Sequence, residues 1–146
     1  MHEIVQAAIA VIRPEAESRS IALEVILPSE VLVKAAPGAA KLALANILHN
    51  AVKFSPAGGL VKTVVTVAQG EAVVAVSDAG PGVAPEELSR LFQRFYRGHA
   101  ARSTDASGVG LGLAIARALV ERQGGRISVE TATEKGATFS VHLRRA

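Results

Sequence analysis

The chain has 146 residues, 49% of them apolar and 20% charged, with a net charge of +3 and no cysteine. That length fits one domain with a sizeable core, and the lack of thiols excludes a disulfide framework and a thiolate metal site. Four histidines (His2, His49, His99 and His142) without ligand spacing argue against zinc, and 3% aromatic residues with no Lys/Arg run argue against nucleic acid.

Ile4 to about Ser18 carries helical spacing (Ile4, Ala8, Val11, Ile12), with Pro14 expected to kink this helix or end its first half. Ile21, Leu23, Val25 and Leu27 alternate with smaller or polar residues, as in a half-buried strand. Pro28-Ser29 is turn chemistry, and Val31 to Ala35 reads as a second short strand. A central helix runs from about Pro37 to Phe54 and stops before Ser55-Pro56-Ala57-Gly58-Gly59. Val61–Val67 and Ala72–Val76 are β-branched runs joined through Gln69-Gly70, a hairpin. Asp78-Ala79-Gly80-Pro81-Gly82 then breaks the chain. Pro85 to Phe92 reads as a short helix with Glu86 and Glu87 in its first turn, where the helix dipole favours them.

Gln93 to Ser107 has no sustained period, is polar and basic (Arg94, Arg97, Arg102), and reads as a mobile loop; loops of this length are usually functional or disordered. Gly108 to Gly112 leads into an apolar helix, Leu111–Gln123, ended by Gly124-Gly125. Arg126–Thr133 and Ala137–Leu143 close the chain as a hairpin around Glu134-Lys135-Gly136. This order predicts a single α/β domain over residues 1–146. Its expected architecture is a two-layer sandwich, a mixed sheet of five to six strands with helices on one face.

Four separated stretches carry chemistry. At about 100° per residue, Asn46, Asn50, Lys53 and Phe54 fall within one arc of the central helix, and Leu44, Ile47, Leu48 and Ala51 take the core side. Amide oxygens suit a hard divalent cation, an ammonium suits a phosphate, and a ring suits a base. Asp78, Gly80 and Gly82 directly follow a strand, a carboxylate where glycines let something approach the backbone. Leu91-Phe92-Gln93-Arg94-Phe95-Tyr96-Arg97 opens the loop with aromatic and cationic side chains. Gly108-Val109-Gly110-Leu111-Gly112 stands at a helix N-terminus, where free N–H groups and the dipole favour phosphate. Each stretch alone is weak, and the glycine run is neither a P-loop nor a dinucleotide fingerprint.

Together the motifs NILHNAVKFSP, DAGPGV, LFQRFYRG and GVGLGLAIAR resemble the asparagine, first glycine, phenylalanine and second glycine boxes of the catalytic ATP-binding domain of sensor histidine kinases. That domain belongs to the GHKL superfamily, with gyrase, mismatch-repair and heat-shock ATPases. The resemblance covers nearly the whole chain, to the strand Gly136-Ala137-Thr138-Phe139, and implies the Bergerat-type α/β sandwich with ATP between the central helix and a lid loop at about 93–107. It implies that Asn50 is the side-chain ligand of Mg²⁺, with Asn46 beside it. Lys53 faces the phosphates, Phe54 packs near the adenine, and Asp78 accepts the adenine amino group, with Gly80 and Gly82 giving the base room. Arg97, with Arg94, reaches the terminal phosphate, and Gly108, Gly110, Leu111 and Gly112 supply the phosphate cradle. The catalytic set is Asn50, Lys53 and Arg97. The implied partners are the dimerisation/phosphoacceptor domain of a parent kinase and, downstream, a response regulator. The chain is expected to be cytoplasmic, its parent anchored in a bacterial inner membrane, and the isolated piece to be a monomer.

Two features depart from the pattern. Val109 stands where the family commonly has Thr, and no stretch resembles the phosphoacceptor box, since His2-Glu3 lacks the Arg and Pro that would follow. The chain therefore looks like a catalytic domain cut from a longer kinase. His49 is expected at the surface or behind the ligands, and His99 as a solvated loop histidine. Three rival functions remain: a GHKL-type ATPase, an anti-sigma-type serine kinase, and a nucleotide-binding regulatory module without transfer. ATPases of this superfamily carry a water-activating Glu four residues before the metal-binding Asn, and here Asn46, which cannot take a proton, occupies that position.

Overall fold

The computed structural model describes residues 1–93, 112–131 and 136–146, Ser89 by its backbone only. The first helix, α1 (His2–Ser18), buries Ile4, Val5, Ala8, Ile9, Ile12 and Ala16 in one stripe. It neither stops nor divides at Pro14, which lies exposed within it. The helix ends without glycine. Ser20 takes φ 58°, while Ser20 N–H donates to Glu17 O at 3.1 Å and Ile21 N–H to Ala16 O at 2.8 Å, the paired bonds of a Schellman stop.

The strand β1 (Ala22–Ile26) follows, and the segment after it does not form the expected second strand. Around Val33 there is only an isolated bridge to Arg145, with Lys34 N–H donating to Arg144 O at 2.8 Å and Ala146 N–H to Leu32 O at 2.9 Å. The last residues of the chain extend beyond the pairing partner of their strand, so residues 32–34 find a few free groups there and no ladder.

Pro37 opens α2 (Pro37–Phe54), a position where its missing N–H costs nothing. β2 (Leu60–Ala68) and β3 (Glu71–Ser77) form the predicted hairpin, and Gln69 and Gly70, at φ 52° and 78°, make the mirror-image turn that suits strand twist. Pro85–Arg90 is a 3-10 helix, shorter and tighter than the expected short helix from Pro85 to Phe92. α3 (Gly112–Arg122) ends in a second Schellman stop, with Gly124 at φ 77° and Gly125 N–H bonded to Val120 O at 3.0 Å. β4 (Arg126–Thr131) and β5 (Ala137–Arg144) complete a five-stranded sheet of order β1-β2-β3-β5-β4. Only the β1–β2 pairing is parallel.

Alternation along the strands turns Val61, Val65, Val74, Val76, Phe139, Val141 and Leu143 to the helices, where they join the buried stripes of α1 and α2 and Ala116 and Val120 of α3 in one core. The sheet thus has one packed face, and α2 lies between α1 and α3. Near one end of that layer Ala36 N–H donates to Gln123 Oε1 at 2.8 Å, which ties the start of α2 to the residue after α3.

Candidate active site

Three segments meet at the other end of the helical layer: the last turns of α2, the stretch after β3, and the start of α3. On α2 the residues sort by face as the sequence predicts. Leu44, Ile47, Leu48, Ala51 and Val52 are buried, whereas Asn46, Asn50, Lys53 and Phe54 are half-buried. Asn46 Oδ1 lies 3.8 Å from where a Cβ on Gly112 would stand, which sets this amide beside the first described turn of α3. The Lys53 ammonium sits 5.6 Å from the centre of the Phe54 ring, close enough for attraction to the π face.

Asp78 follows β3 and continues its ladder by one bond, its N–H donating to Ala137 O at 3.0 Å. Its side chain folds back on the backbone. Oδ1 accepts from Gly80 N–H at 2.9 Å and from Ala137 N–H at 3.2 Å. Burial pushes the Asp78 carboxyl above its ordinary value of 3.8, and the Gly80 and Ala137 donors pull it part of the way back. Among the described residues Oδ2 accepts no hydrogen bond, so one oxygen holds the loop and the other is left for an outside donor.

The glycines have local reasons. A Cβ on Gly80 would stand 2.7 Å from the Phe54 carbonyl oxygen, so only glycine lets the loop lie against the end of α2. Gly82 takes φ 77°, where other side chains strain the backbone.

Sequence reasoning missed Ser55 and Thr131 as members of this site, and took Gly136 only as part of a turn. Ser55, buried at the end of α2, accepts from Ala79 N–H at 3.3 Å through Oγ. Thr131 Oγ1 accepts from Val83 N–H at 2.7 Å and donates to Gly136 O at 3.3 Å. Gly136, at φ 81°, leaves no room for a Cβ against the Asp78 backbone. Small hydroxyl residues at element ends were the available signal, but their partners lie far away in sequence.

His49 proves to be a link between helices. Its Nδ1 lies 2.7 Å from Glu15 Oε2 of α1, on an exposed surface. Phe92 packs edge-on to Phe139 at 6.3 Å between centres, and the Arg117 guanidinium lies 5.5 Å from the Phe92 ring. Of the residues anticipated for nucleotide contact, Asn46, Asn50, Lys53 and Phe54 share one arc of α2; Gly112 approaches Asn46, and Gly80, two residues after Asp78, approaches the carbonyl of Phe54. Arg94, Arg97, His99, Gly108, Gly110 and Leu111, with the expected lid apart from Gln93, lie outside the described residues.

Among the described residues no group of three His, Asp or Glu could hold a metal ion. Asn50 instead offers a neutral, half-buried amide oxygen. Such a donor set fits a Mg²⁺ that arrives already bound to phosphate oxygens and keeps its waters. Nor is any helix among the described residues long and apolar enough to cross a membrane.

A family model described as histidine kinase-, DNA gyrase B- and HSP90-like ATPase matches residues 36–146. SenX3, a sensor-like histidine kinase of Mycobacterium tuberculosis, is 36% identical over 140 residues, which is 96% of this chain and 34% of SenX3. The mycobacterial sensor histidine kinase MprB has a similar structure, with a TM-score of 0.83 at 29% identity over 99% of this chain and 94% of that one. Full-length ShkA in complex with AMPPNP gives 0.84 at 30% identity, over 99% of this chain and 30% of that one. The chain spans about a third or less of the length of curated relatives such as SenX3 and the histidine protein kinase DivJ of Caulobacter vibrioides.

Proposed function

Because the chain belongs to the histidine kinase-, DNA gyrase B- and HSP90-like ATPase family, we propose that it is the ATP-binding catalytic part of a two-component sensor kinase. In this reading it binds Mg·ATP and passes the γ-phosphoryl group to a histidine on the dimerisation domain of its parent, for relay to a response regulator. The parent kinase is anchored in a bacterial inner membrane. The observation that carries the reading is Asp78. Its Oδ1 is committed to Gly80 and Ala137 at a strand end, and Oδ2, which accepts no hydrogen bond among the described residues, suits a donor such as the amino group of adenine.

The further roles are those that the resemblance to histidine kinase catalytic domains implies. Gly80 and Gly82 keep the loop low under the base, and Phe54 lies beside it at the end of α2. Lys53 faces the phosphates together with backbone N–H groups of Gly108, Gly110, Leu111 and Gly112, and Asn46 stands beside Asn50. Arg97, with Arg94, meets the terminal phosphate. Asn50 would hold Mg²⁺, which would neutralise charge on the phosphate oxygens. Phosphoryl transfer of this kind asks mainly for positioning and charge stabilisation.

The acceptor imidazole nitrogen attacks the γ-phosphorus, the bond from that phosphorus to the β–γ bridging oxygen breaks, and ADP departs with the electron pair. The imidazole proton leaves to solvent. A neutral imidazole needs no base for its attack, whereas water does. The amide of Asn46 offers none, which favours transfer over hydrolysis.

The test is labelled ATP with this chain alone, with a histidine-bearing hairpin domain of the parent alone, and with both. We expect label on the hairpin in the mixture, abolished by Asn50→Ala. General-base help is worth about 10²–10⁴-fold, so phosphate release by this chain alone should be slow. Label on the isolated chain would overturn the proposal, and so would brisk phosphate release without the hairpin, which would favour the ATPase reading.

A further inference from the structure

The loop that carries Asp78 is held almost wholly by side-chain oxygens. Ala79 N–H reaches Ser55 at a long 3.3 Å, Gly80 N–H turns back to Asp78, and Pro81 has no N–H to offer. At the far end of the loop Val83 N–H meets Thr131 Oγ1 at 2.7 Å, the shortest of these contacts. Thr131 is the last residue of β4, paired in register with Ala137, whose N–H donates to Asp78 Oδ1. The Thr131 hydroxyl proton goes to Gly136 O, and Gly136 abuts the Asp78 backbone.

A closed circuit results: Asp78 to Gly80, along the loop to Val83, across to Thr131, through Gly136 and Ala137, and back to Asp78. One hydroxyl both accepts and donates within it. Neither an apolar side chain of the same shape nor a longer polar one can do both from that position.

We propose that Thr131 is a positioning residue for base recognition, fixing the orientation in which Asp78 meets a nucleobase; this rests on the nucleotide reading above and adds to it the residue that sets selectivity. Thr131 touches no part of the nucleotide itself. Because its bonds are confined to the base end of the site, its loss acts on the discrimination between adenine and guanine and leaves the phosphate end as it was.

The experiment uses this 146-residue chain with Thr131→Val, which keeps shape and strand propensity but loses the hydroxyl, and Thr131→Ser, which keeps it. Titration calorimetry with the Mg²⁺ complexes of a non-hydrolysable ATP analogue and its GTP counterpart gives the selectivity, and amide exchange at Val83 reads the bond directly. We expect Thr131→Val to weaken binding of the ATP analogue about five- to tenfold, the size of a lost hydrogen bond. The ATP-to-GTP ratio should fall and Val83 exchange should accelerate, while Thr131→Ser stays near wild type in all three. An unchanged ratio would overturn the inference, even with weaker binding, because general loosening lowers both affinities together. If Thr131→Val does not fold, Thr131→Ala replaces it, and fast Val83 exchange in the wild type would by itself overturn the inference. Slow wild-type exchange with no adenine nucleotide bound at all overturns the nucleotide reading instead, and the inference falls with it.

Discussion

Replacing Asp78 by Asn separates the two tasks of that side chain. The amide keeps an oxygen that can accept from Gly80 and Ala137, and it puts an NH2 group in place of Oδ2. An adenine amino group then meets a donor where it needs an acceptor. A buried donor left without a partner costs about 1–3 kcal/mol, so affinity for Mg·ATP should fall by about ten- to a hundredfold. Stability follows a different rule. Burial raises the Asp78 pKa above 3.8, so the folded chain holds that proton more tightly than the unfolded one. Wild-type stability should therefore lose ground as pH rises from the ordinary value of 3.8 through the folded-state value, then level off. Asp78→Asn has nothing to titrate there and should lack that decline. Asp78→Ala removes the acceptor altogether and should cost about 1–3 kcal/mol of stability. Titration calorimetry measures the first effect, and urea unfolding from acid to neutral pH measures the others. Wild-type affinity for Mg·ATP in Asp78→Asn would refute the assignment of the base contact. If wild-type stability gains on Asp78→Asn as pH rises through this window, the electrostatic reasoning is wrong.

Gly136→Ala should destabilise the fold by at least about 2 kcal/mol, because it adds positive-φ strain and drives a methyl group into the Asp78 backbone. A change below about 0.5 kcal/mol in urea unfolding would show that the turn shifts freely. Thr63→Val should be neutral or stabilising by about 1 kcal/mol. Thr63 is 1% exposed on the inner face of β2, and among the described residues its Oγ1 has no hydrogen-bond partner. A clear loss of stability would reveal a partner, such as a buried water, for that hydroxyl.

What could be read from the sequence was what depends on period and local chemistry. The buried stripe of α2, the hairpin through Gln69-Gly70 and the polar arc of Asn46, Asn50, Lys53 and Phe54 all follow from side-chain spacing. Pro14 did not end the helix, because it lies exposed while the buried stripe continues past it to Ala16. Val31–Ala35 misled because a β-branched run needs a free strand edge, and this one finds only the few groups beside Arg145. At the site, Asp78, Gly80 and Gly82 were legible because the carboxylate and the glycines are adjacent in the chain. Ser55 and Thr131 were not, since their partners Ala79 and Val83 stand 24 and 48 residues away. Only the pairing of β3, β5 and β4 brings Thr131 to that loop.

The tie between Gln123 and Ala36 has a mechanical consequence. The helices α2 and α3 run antiparallel, joined near Ala36 at one end and approaching at Asn46 and Gly112 at the other. The 11 residues of α3 span about 16 Å. With its heel tied to Ala36 through Gln123, the described length of α3 is a lever whose far end is Gly112. A tilt of about 10° at the heel carries Gly112 roughly 3 Å at the tip, by the rise of the helix alone. The packing of Ala116, near the middle of that arm, and of Val120, close to the heel, is therefore geared up where the far end meets Asn46.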